Sequence, residues 1–481
     1  MSETPLENLR AERIKKLSRL KELGVDPYPA ETPEHESVDK ARSRFEGPSA
    51  VAGRLLGIRG HGKLVFADLR DASGQIQLCF KVDILSPEQF RLVELIDIGD
   101  FIWVSGDLFT TKAGELTIQV QALELLSKSL RPLPSEHFGL KDEEERFRQR
   151  YVDFILNPNL RDLFVKKSIF WNATRGFLLS HGFLEVETPV LETTAGGADA
   201  TPFVTHHNAL DIDVFLRISM GELWQKRLMV GGFEKTFEIG RQFRNEGMSR
   251  EHSQDYTQME FYWAYASYRE SMTLVEELYK VVAKETFGTL EFDINGYHVN
   301  LSQPWPKIDY IETIKEKLGI DIESSSTADI KKKLKELKVA PASHDSRERL
   351  IDLLWKQVRK SITGPVFLIG HPVEVSPLAK RDAARPNTVE RYQVIIAGSE
   401  LGNGYSELND PLDQAERFKE QQKLREAGDL EAQMHDSDFV RALEYGMPPV
   451  SGFGFSERVF AFLANKSVRE AVMFPLLRPE S

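Results

Sequence analysis

Apolar and polar positions along the 481-residue chain change rhythm several times, and each rhythm predicts a different element. Over residues 6–23, Leu6, Leu9, Ile14, Leu17 and Leu20 recur at helical spacing, with Gly24 as a stop. Arg10, Arg13, Lys15, Lys16, Arg19 and Lys21 lie around the other face. This predicts an amphipathic helix whose basic side is either solvated or turned to phosphates. From residue 50 to 128 the period falls to two. Strand-like runs at 51–56, 64–69, 76–80, 101–108 and 116–123 are separated by Ala72-Ser73-Gly74, Gly99-Asp100 and Ala113-Gly114, with a helix-like stretch near 88–95.

Five short strands in about 80 residues predict a small barrel of the oligonucleotide-binding type, since a sandwich would want more. Within it, Gly57, four residues, then Gly62-Lys63 approach a phosphate loop, but Leu64 stands where Ser or Thr would meet Mg²⁺. The stretch also falls between two strands, so it reads as a hairpin. Arg131-Pro132-Leu133-Pro134 is a stiff linker, 143–150 is charge-dense and helical, and 160–180 is a longer helix closed by His181-Gly182. An α+β region then runs to the C-terminus. A Lys- and Glu-rich helical insertion at about 307–362 interrupts it. The predicted organisation is a basic helical extension over 1–48, the barrel over 49–135, a linker over 136–159 and a large α+β domain over 160–481.

Composition narrows the picture. At 41% hydrophobic and 28% charged the chain is globular. A net charge of −12 excludes a basic footprint spread over the whole protein, though local patches keep their own fields. No apolar run spans a bilayer, and the first residues carry no apolar signal core. Cys79 is the sole cysteine, which excludes an internal disulfide and a Cys-type zinc site. These features predict a soluble protein of the reducing cytoplasm.

Three stretches carry chemistry. In KTFEIGRQFR at 235–244 alternation puts Glu238, Gly240, Gln242 and Arg244 on one strand face. A polar loop follows, and the returning strand sets Tyr256, Gln258, Glu260 and Tyr262 against Thr257, Met259, Phe261 and Trp263. The polar face reads either as a ligand floor or as an exposed sheet face with ion pairs. In ELGNGYSE at 400–407, Asn403, Tyr405 and Glu407 share a face, and Gly402 and Gly404 leave room for close approach. Near the C-terminus Arg458 opens an apolar helix after a run of small residues. An arginine at a helix start opposes the dipole and points to an anionic partner.

FRNEG at 243–247, HGFLEVETPVL at 181–191 and GFSERVFAFL at 454–463 resemble the three signature motifs of class II aminoacyl-tRNA synthetases. The resemblance is closer still to class II lysyl-tRNA synthetases. GELTIQ at 114–119, RFRQRYVD at 146–153, PFVTHHNALD at 202–211, EVSPLAKR at 374–381 and LGNGYSELNDPLDQ at 401–414 are all similar to that family, in order along nearly the whole chain. It implies an N-terminal anticodon-binding barrel, an antiparallel catalytic sheet flanked by helices, and a homodimer through about 160–190. It implies lysine, ATP and tRNA(Lys) as substrates, with Mg²⁺.

Residue roles follow from the same match. Arg244 falls on the arginine bridging the amino-acid carboxylate and the ATP α-phosphate, a task for its planar fork. Glu246, His252 and Tyr256 match positions near adenine and triphosphate, and Arg458 the arginine on the γ-phosphate. Glu222, Glu260, Tyr262, Asn403, Tyr405 and Glu407 match the lysine pocket, with Gly197 lending backbone. Two ammonium groups need carboxylate partners in a closed pocket, whereas aspartate would need spare cations. Glu400 matches a metal ligand. Phe66 matches a base-stacking aromatic, Gln77 and Glu115 residues reading base edges, and Arg59 a further contact. Four departures stand out: Gln393 where the family has a metal-binding glutamate, a third signature motif one residue short, Met220-Gly221-Glu222 for Ala-Pro-Glu, and Ser253 for asparagine.

Overall fold

The computed structural model describes residues 5–134, 140, 142–247, 249, 251–341, 346–426, 428 and 432–480. Part of the predicted linker, at 136–139 and 141, lies outside them, as do Met248 and Arg250 of the polar loop. The chain forms two compact units, Met1–Leu156 and Asn157–Ser481.

The first unit begins with α1 (Pro5–Glu22) and the short α2 (Val38–Arg42). Strands β1 (Gly47–His61), β2 (Leu64–Arg70) and β3 (Gln75–Lys81) follow, then α3 (Pro87–Leu95), β4 (Phe101–Thr110) and β5 (Leu116–Ser127). The strands close in the order β1-β2-β3-β5-β4, the predicted five-stranded barrel. Strand β1 is 15 residues long, and a register shift between Leu55 and Gly57 lets it pair with both β2 and β4. Gly62-Lys63 form the β1–β2 turn. Alternate residues such as Ala67, Leu69, Ile76, Leu78, Ile118 and Val120 fill the interior. Helices α4 (Glu143–Arg148) and α5 (Arg150–Leu156) complete the unit.

Helix α1 departs from its predicted stripe. Leu20 joins the barrel core, but Leu6 and Leu9 stay exposed. Instead Arg13 is buried and donates to the carbonyls of Ile98 (2.9 Å), Ser129 (3.1 Å) and Arg131 (3.1 Å), while Lys16 pairs with Asp97 at 2.7 Å. Long cationic side chains lend apolar stem and polar head together, so part of the basic face is what docks. Arg10, Arg19 and Lys21 remain exposed.

The second unit opens with α6 (Pro158–Ser180), the short strands β6 (Leu184–Glu185) and β7 (Leu191–Glu192), β8 (Val204–His207), β9 (Ile212–Leu216) and α7 (Glu222–Val230). Strands β10 (Lys235–Phe243) and β11 (Asp255–Ala264) form the expected hairpin, followed by α8 (Tyr268–Phe287), whose start is fixed by a Ser267/Glu270 capping box. A small hairpin, β12 (Glu291–Ile294) and β13 (Tyr297–Asn300), leads to β14 (Lys307–Asp309), α9 (Tyr310–Leu318), α10 (Thr327–Glu336), α11 (Arg347–Val358) and β15 (Val366–Ile369). The end of the chain contains β16 (Arg391–Ile396), β17 (Ser399–Ser406), α12 (Pro411–Glu426), α13 (Ser437–Glu444), β18 (Val450–Ser456) and α14 (Arg458–Leu463).

One eight-stranded sheet runs β14-β15-β16-β17-β18-β11-β10-β6. It is antiparallel from β15 to β10 and parallel only at its edges, β14 with β15 and β6 with β10. The predicted helical stretch 307–362 therefore starts on a sheet strand. Pro304 and Pro306 just before β14 disfavour helical backbone there. Helices α9 to α11 then build their own core around Ile314, Ile330, Leu350 and Trp355.

Helices α6, α8 and α14 cover one face of the sheet. Phe170, Phe177, Val275, Leu278 and Phe460 pack there on Phe237, Met259, Phe261, Phe453 and Phe455. Period-two alternation turns Glu260 and Tyr262 to the other face. That face is bordered by α7, α12 and α13, where Leu223, Met229, Phe418 and Phe439 gather around Tyr262. Among the described residues, no helix is long and apolar enough to cross a membrane.

Candidate active site

The polar face of β11, β18 and β17 is the floor of a cavity of about 580 Å³. Strand register decides what meets there. Glu260 and Asn403 both pair with Gly454, and Tyr262 and Tyr405 both pair with Gly452. A Cβ on Gly452 would lie 2.2 Å from Glu407 Oε1 and 2.7 Å from Tyr262 Cε1, closer than atoms approach. The glycines of β18 thus let side chains from both neighbouring strands lean over the middle one. Gly197, at φ +86°, is equally constrained: its Cβ would meet Ser219 Oγ at 2.6 Å.

Among the carboxylates that line this cavity, Glu222, Glu260 and Glu407 form one cluster whose charges act on one another. Glu260 accepts from the backbone N–H of Met220 (3.1 Å), Gln258 Nε2 (2.5 Å) and Tyr262 O–H (3.1 Å). Burial and then the Glu222 charge push its carboxyl up to about 7. Glu222 opens α7, where the helix dipole favours a carboxylate, and accepts from Tyr405 O–H. Lys226, one turn later, sits 2.7 Å from Glu222 Oε1 and 2.5 Å from Glu407 Oε2. Burial pulls the Lys226 ammonium down, but Glu222 and Glu407 outweigh it and hold the group above the usual lysine range. Burial pushes Glu407 well above the carboxylate range against the pull of Lys226, and Glu222 and Glu260 add to the push.

Arg244 lines the same cavity from the residue after β10. Its Nε donates to Ile218 O at 3.3 Å and its guanidinium lies 5.8 Å from the Tyr256 ring centre. Among the described residues it makes no ion pair, so its fork is available to an anion. Arg458, at the start of α14, pairs with Glu251, and His252 Nδ1 lies 2.7 Å from Ser249 Oγ. Arg458, His252 and Tyr256 line the cavity; Glu246 does not, and accepts from Thr201 N–H at 3.3 Å. Not every residue of the predicted floor is free for a ligand. Glu238 pairs with buried Arg217 at 2.6 Å and accepts from Thr188 O–H at 2.6 Å, a structural ion pair.

Glu400 and Gln393 meet on β17 and β16 and also line the cavity. Gln393 Nε2 donates to Glu400 Oε2 at 3.3 Å and Trp355 Nε1 donates to Glu400 Oε1 at 2.9 Å, with Arg359 Nη1 3.7 Å away. Gln393 Oε1 lies 3.1 Å from Nε2 of buried His371, which burial keeps well below the usual histidine range and therefore neutral. Asn403 Oδ1 accepts from Arg391 Nε at 2.8 Å.

On the barrel, the four nucleic-acid candidates come from adjacent strands. Arg59 of β1 is in register with Phe66 of β2, and Asp68 of β2 with Gln77 of β3. Phe66 points outward, since Ala67 and Leu69 fill the interior. Arg59 pairs with Asp68, Gln77 Oε1 accepts from Thr117 O–H at 2.9 Å, and Glu115 is exposed just before β5.

The family model described as tRNA synthetases class II (D, K and N) matches residues 142–478, and an OB-fold nucleic acid binding domain matches residues 50–126. The chain belongs to the class II tRNA synthetases. It is similar to the lysine–tRNA ligase of Moorella thermoacetica, 44% identical over 98% of both chains. The ligase of that name from Thermotoga maritima is 44% identical over 99% of this chain and 97% of its own. That from Syntrophomonas wolfei is 43% identical over 100% and 99%.

Several residues of this synthetase site had no place in the sequence reading. Lys226, Glu251, Trp355, Arg359, His371 and Arg391 hold the residues that did. Lys226 carried one signal: it stands four residues after Glu222 in a helical stretch, a spacing that brings side chains together.

Proposed function

We propose that this synthetase activates lysine with ATP and transfers it to tRNA(Lys). The carrying observation is one cavity whose lining includes the clustered carboxylates of Glu222, Glu260 and Glu407 and Arg244, which makes no ion pair among the described residues. In this reading Glu222, Glu260 and Glu407, with Tyr262, Asn403, Tyr405 and the Gly197 backbone, receive the two ammonium groups of lysine. Arg244 holds the lysine carboxylate against the ATP α-phosphate. The carboxylate oxygen attacks that phosphorus, pyrophosphate leaves, and lysyl-adenylate forms. A ribose hydroxyl of the tRNA terminus then attacks the acyl carbon and AMP leaves. No general base is needed in the first step, so catalysis rests on positioning and on charge facing the phosphates. Arg458, His252 and Tyr256 serve the nucleotide, and Glu246 joins them on its place two residues after Arg244.

Mg²⁺ is the expected companion of ATP. Each Glu400 oxygen accepts one N–H and keeps a lone pair, which suits one ion shared with phosphates and water. Gln393 supplies only a neutral amide. Among the described residues no group of three or more His, Cys, Asp or Glu gathers around a metal position. Such an ion would neutralise phosphate charge.

Phe66, Gln77, Glu115 and Arg59 read the anticodon, by stacking and base-edge hydrogen bonds. The protein pairs as a homodimer through the segment around α6, where Val165, Ile169, Leu179, Leu184, Val190 and Leu191 are exposed. It works in the cytoplasm, in keeping with a single, buried thiol. ATP–pyrophosphate exchange with each standard amino acid tests the reading. Exchange with lysine alone, followed by charging of tRNA(Lys), is expected; exchange with another amino acid, or none, overturns it.

A further inference from the structure

Lys226 is a fully enclosed charge, 1% exposed, and does not itself line the cavity. Its ammonium bridges Glu222 and Glu407 at 2.7 and 2.5 Å, with the Tyr405 and Phe439 ring centres at 5.4 and 5.9 Å. It therefore has two anionic partners and aromatic walls, and no route to bulk water past them. Within the cluster, Glu222, Glu260 and Glu407, which act on one another's ionisation, amount to three negative charges when ionised; one resident ammonium leaves two. A diamino acid brings two ammonium groups, and its own carboxylate has Arg244.

We propose that Lys226 is a specificity-determining positioning residue: its fixed charge sets the cavity to accept two substrate ammonium groups and keeps Glu407 able to ionise and meet one of them. This rests on the lysine reading above. The argument is electrostatic. A buried carboxylate without a cation takes up a proton, and a protonated Glu407 can no longer distinguish an ammonium from a methyl group. Tyr405 O–H, which donates to Glu222, keeps that carboxylate turned to Lys226, so Glu407 is the member left to vary with the ligand.

Equilibrium binding of lysine and of norleucine, which lacks the ε-ammonium, decides it. Both are measured from pH 6 to 9 on the full chain and on Lys226→Met, with Lys226→Gln as a second uncharged variant and Lys226→Arg as the charge-retaining one. Loss of the charge should weaken lysine about tenfold or more, and shrink the lysine-to-norleucine ratio by a similar factor. It should also move the pH midpoint of lysine binding up by about a unit. ATP affinity should stay within about twofold, and Lys226→Arg should restore the midpoint. Uncharged variants that keep the parent's midpoint and selectivity overturn the proposal, as does an equal loss of lysine and ATP affinity, the mark of a purely structural role. A parent that fails to prefer lysine over norleucine instead overturns the lysine reading itself.

Discussion

Glu260 of β11 and Gly454 of β18 are register partners, and a Cβ on Gly454 would stand 2.8 Å from Glu260 Cγ. The glycine is what lets the carboxylate lie over the floor of the cavity. In Gly454→Ala the side chain of Glu260 must turn away, losing its hold from Met220 N–H and Tyr262 O–H. The lysine KM should rise on the order of tenfold to a hundredfold, since a charged partner of a buried cation is displaced. The ATP KM and Tm should change little. Steady-state exchange kinetics check this; an unchanged lysine KM would mean that Glu260 does not hold the amino acid.

The raised carboxyl of Glu260 makes a pH prediction. Its value of about 7 belongs to the empty site, where burial and Glu222 favour the protonated form. A bound ammonium favours the ionised form, so lysine binding releases the proton. Lysine affinity should therefore be greatest above pH 7 and decline as pH falls through about 7 toward 6. Glu192, also raised to about 7, donates nothing to the cavity lining and affects stability alone. Both groups bind protons more tightly folded than unfolded, so stability of the unliganded protein should fall as pH rises from about 4.5 through 7. Calorimetry in two buffers of different ionisation enthalpy measures the proton release, and Glu260→Gln should reduce it to what Glu407 contributes. A parent profile flat from pH 6 to 8 would refute the assignment.

Removal of the first unit separates the two halves of the reaction. The second unit holds the cavity and its own core beneath the sheet. Deleting residues 1–156 should leave lysine-dependent pyrophosphate exchange within a few-fold of the parent and abolish tRNA charging, because the proposed base contacts go with the OB-fold nucleic acid binding domain. In the intact chain, charging at subsaturating tRNA should weaken steeply with added salt, as counterion release requires. Normal charging by a folded truncated chain would remove the barrel from tRNA recognition.

Much of this was legible in the sequence because local patterns and local chemistry agree. The barrel strands alternate cleanly between turn signals, and Glu260 and Tyr262 alternate with Met259 and Phe261, so the polar side of the hairpin could be named. The same pattern could not separate Glu238 from Glu260. Both are polar strand residues on one face, and only the distant Arg217 and Thr188 make the first a structural ion pair. Lys226 was hidden for a related reason. A lysine four residues after a glutamate is most often a solvated helix pair, and burial between Glu407 and Phe439 depends on segments far along the chain. Helix α1 shows the converse: a clear stripe was misleading because Arg13, not Leu6 or Leu9, found partners on the barrel.

The last prediction concerns Gln393, the amide beside Glu400, which is proposed above to hold Mg²⁺. Its Nε2 donates to Glu400 and its Oε1 lies against His371, so the pair now shares one negative charge where two carboxylates would share two. Hard cations gain most from anionic oxygen, and half-maximal activity should therefore need more magnesium than a two-carboxylate site would. Gln393→Glu restores the second charge. Without metal the new carboxylate faces Glu400 with like charge, so the variant should melt lower than the parent in chelator. With Mg²⁺ both carboxylates can hold the ion, so the variant should gain more Tm per millimolar magnesium and reach half-maximal exchange at a lower concentration. The choice of lysine should not change, because the hydrogen-bond partners of Gln393 are His371 and Glu400, not the three carboxylates proposed to receive the ammonium groups. Paired magnesium titrations of melting and exchange decide it. If the glutamate variant responds to magnesium as the parent does, position 393 is not at the metal, and Glu400 acts there alone or serves only to fix Trp355.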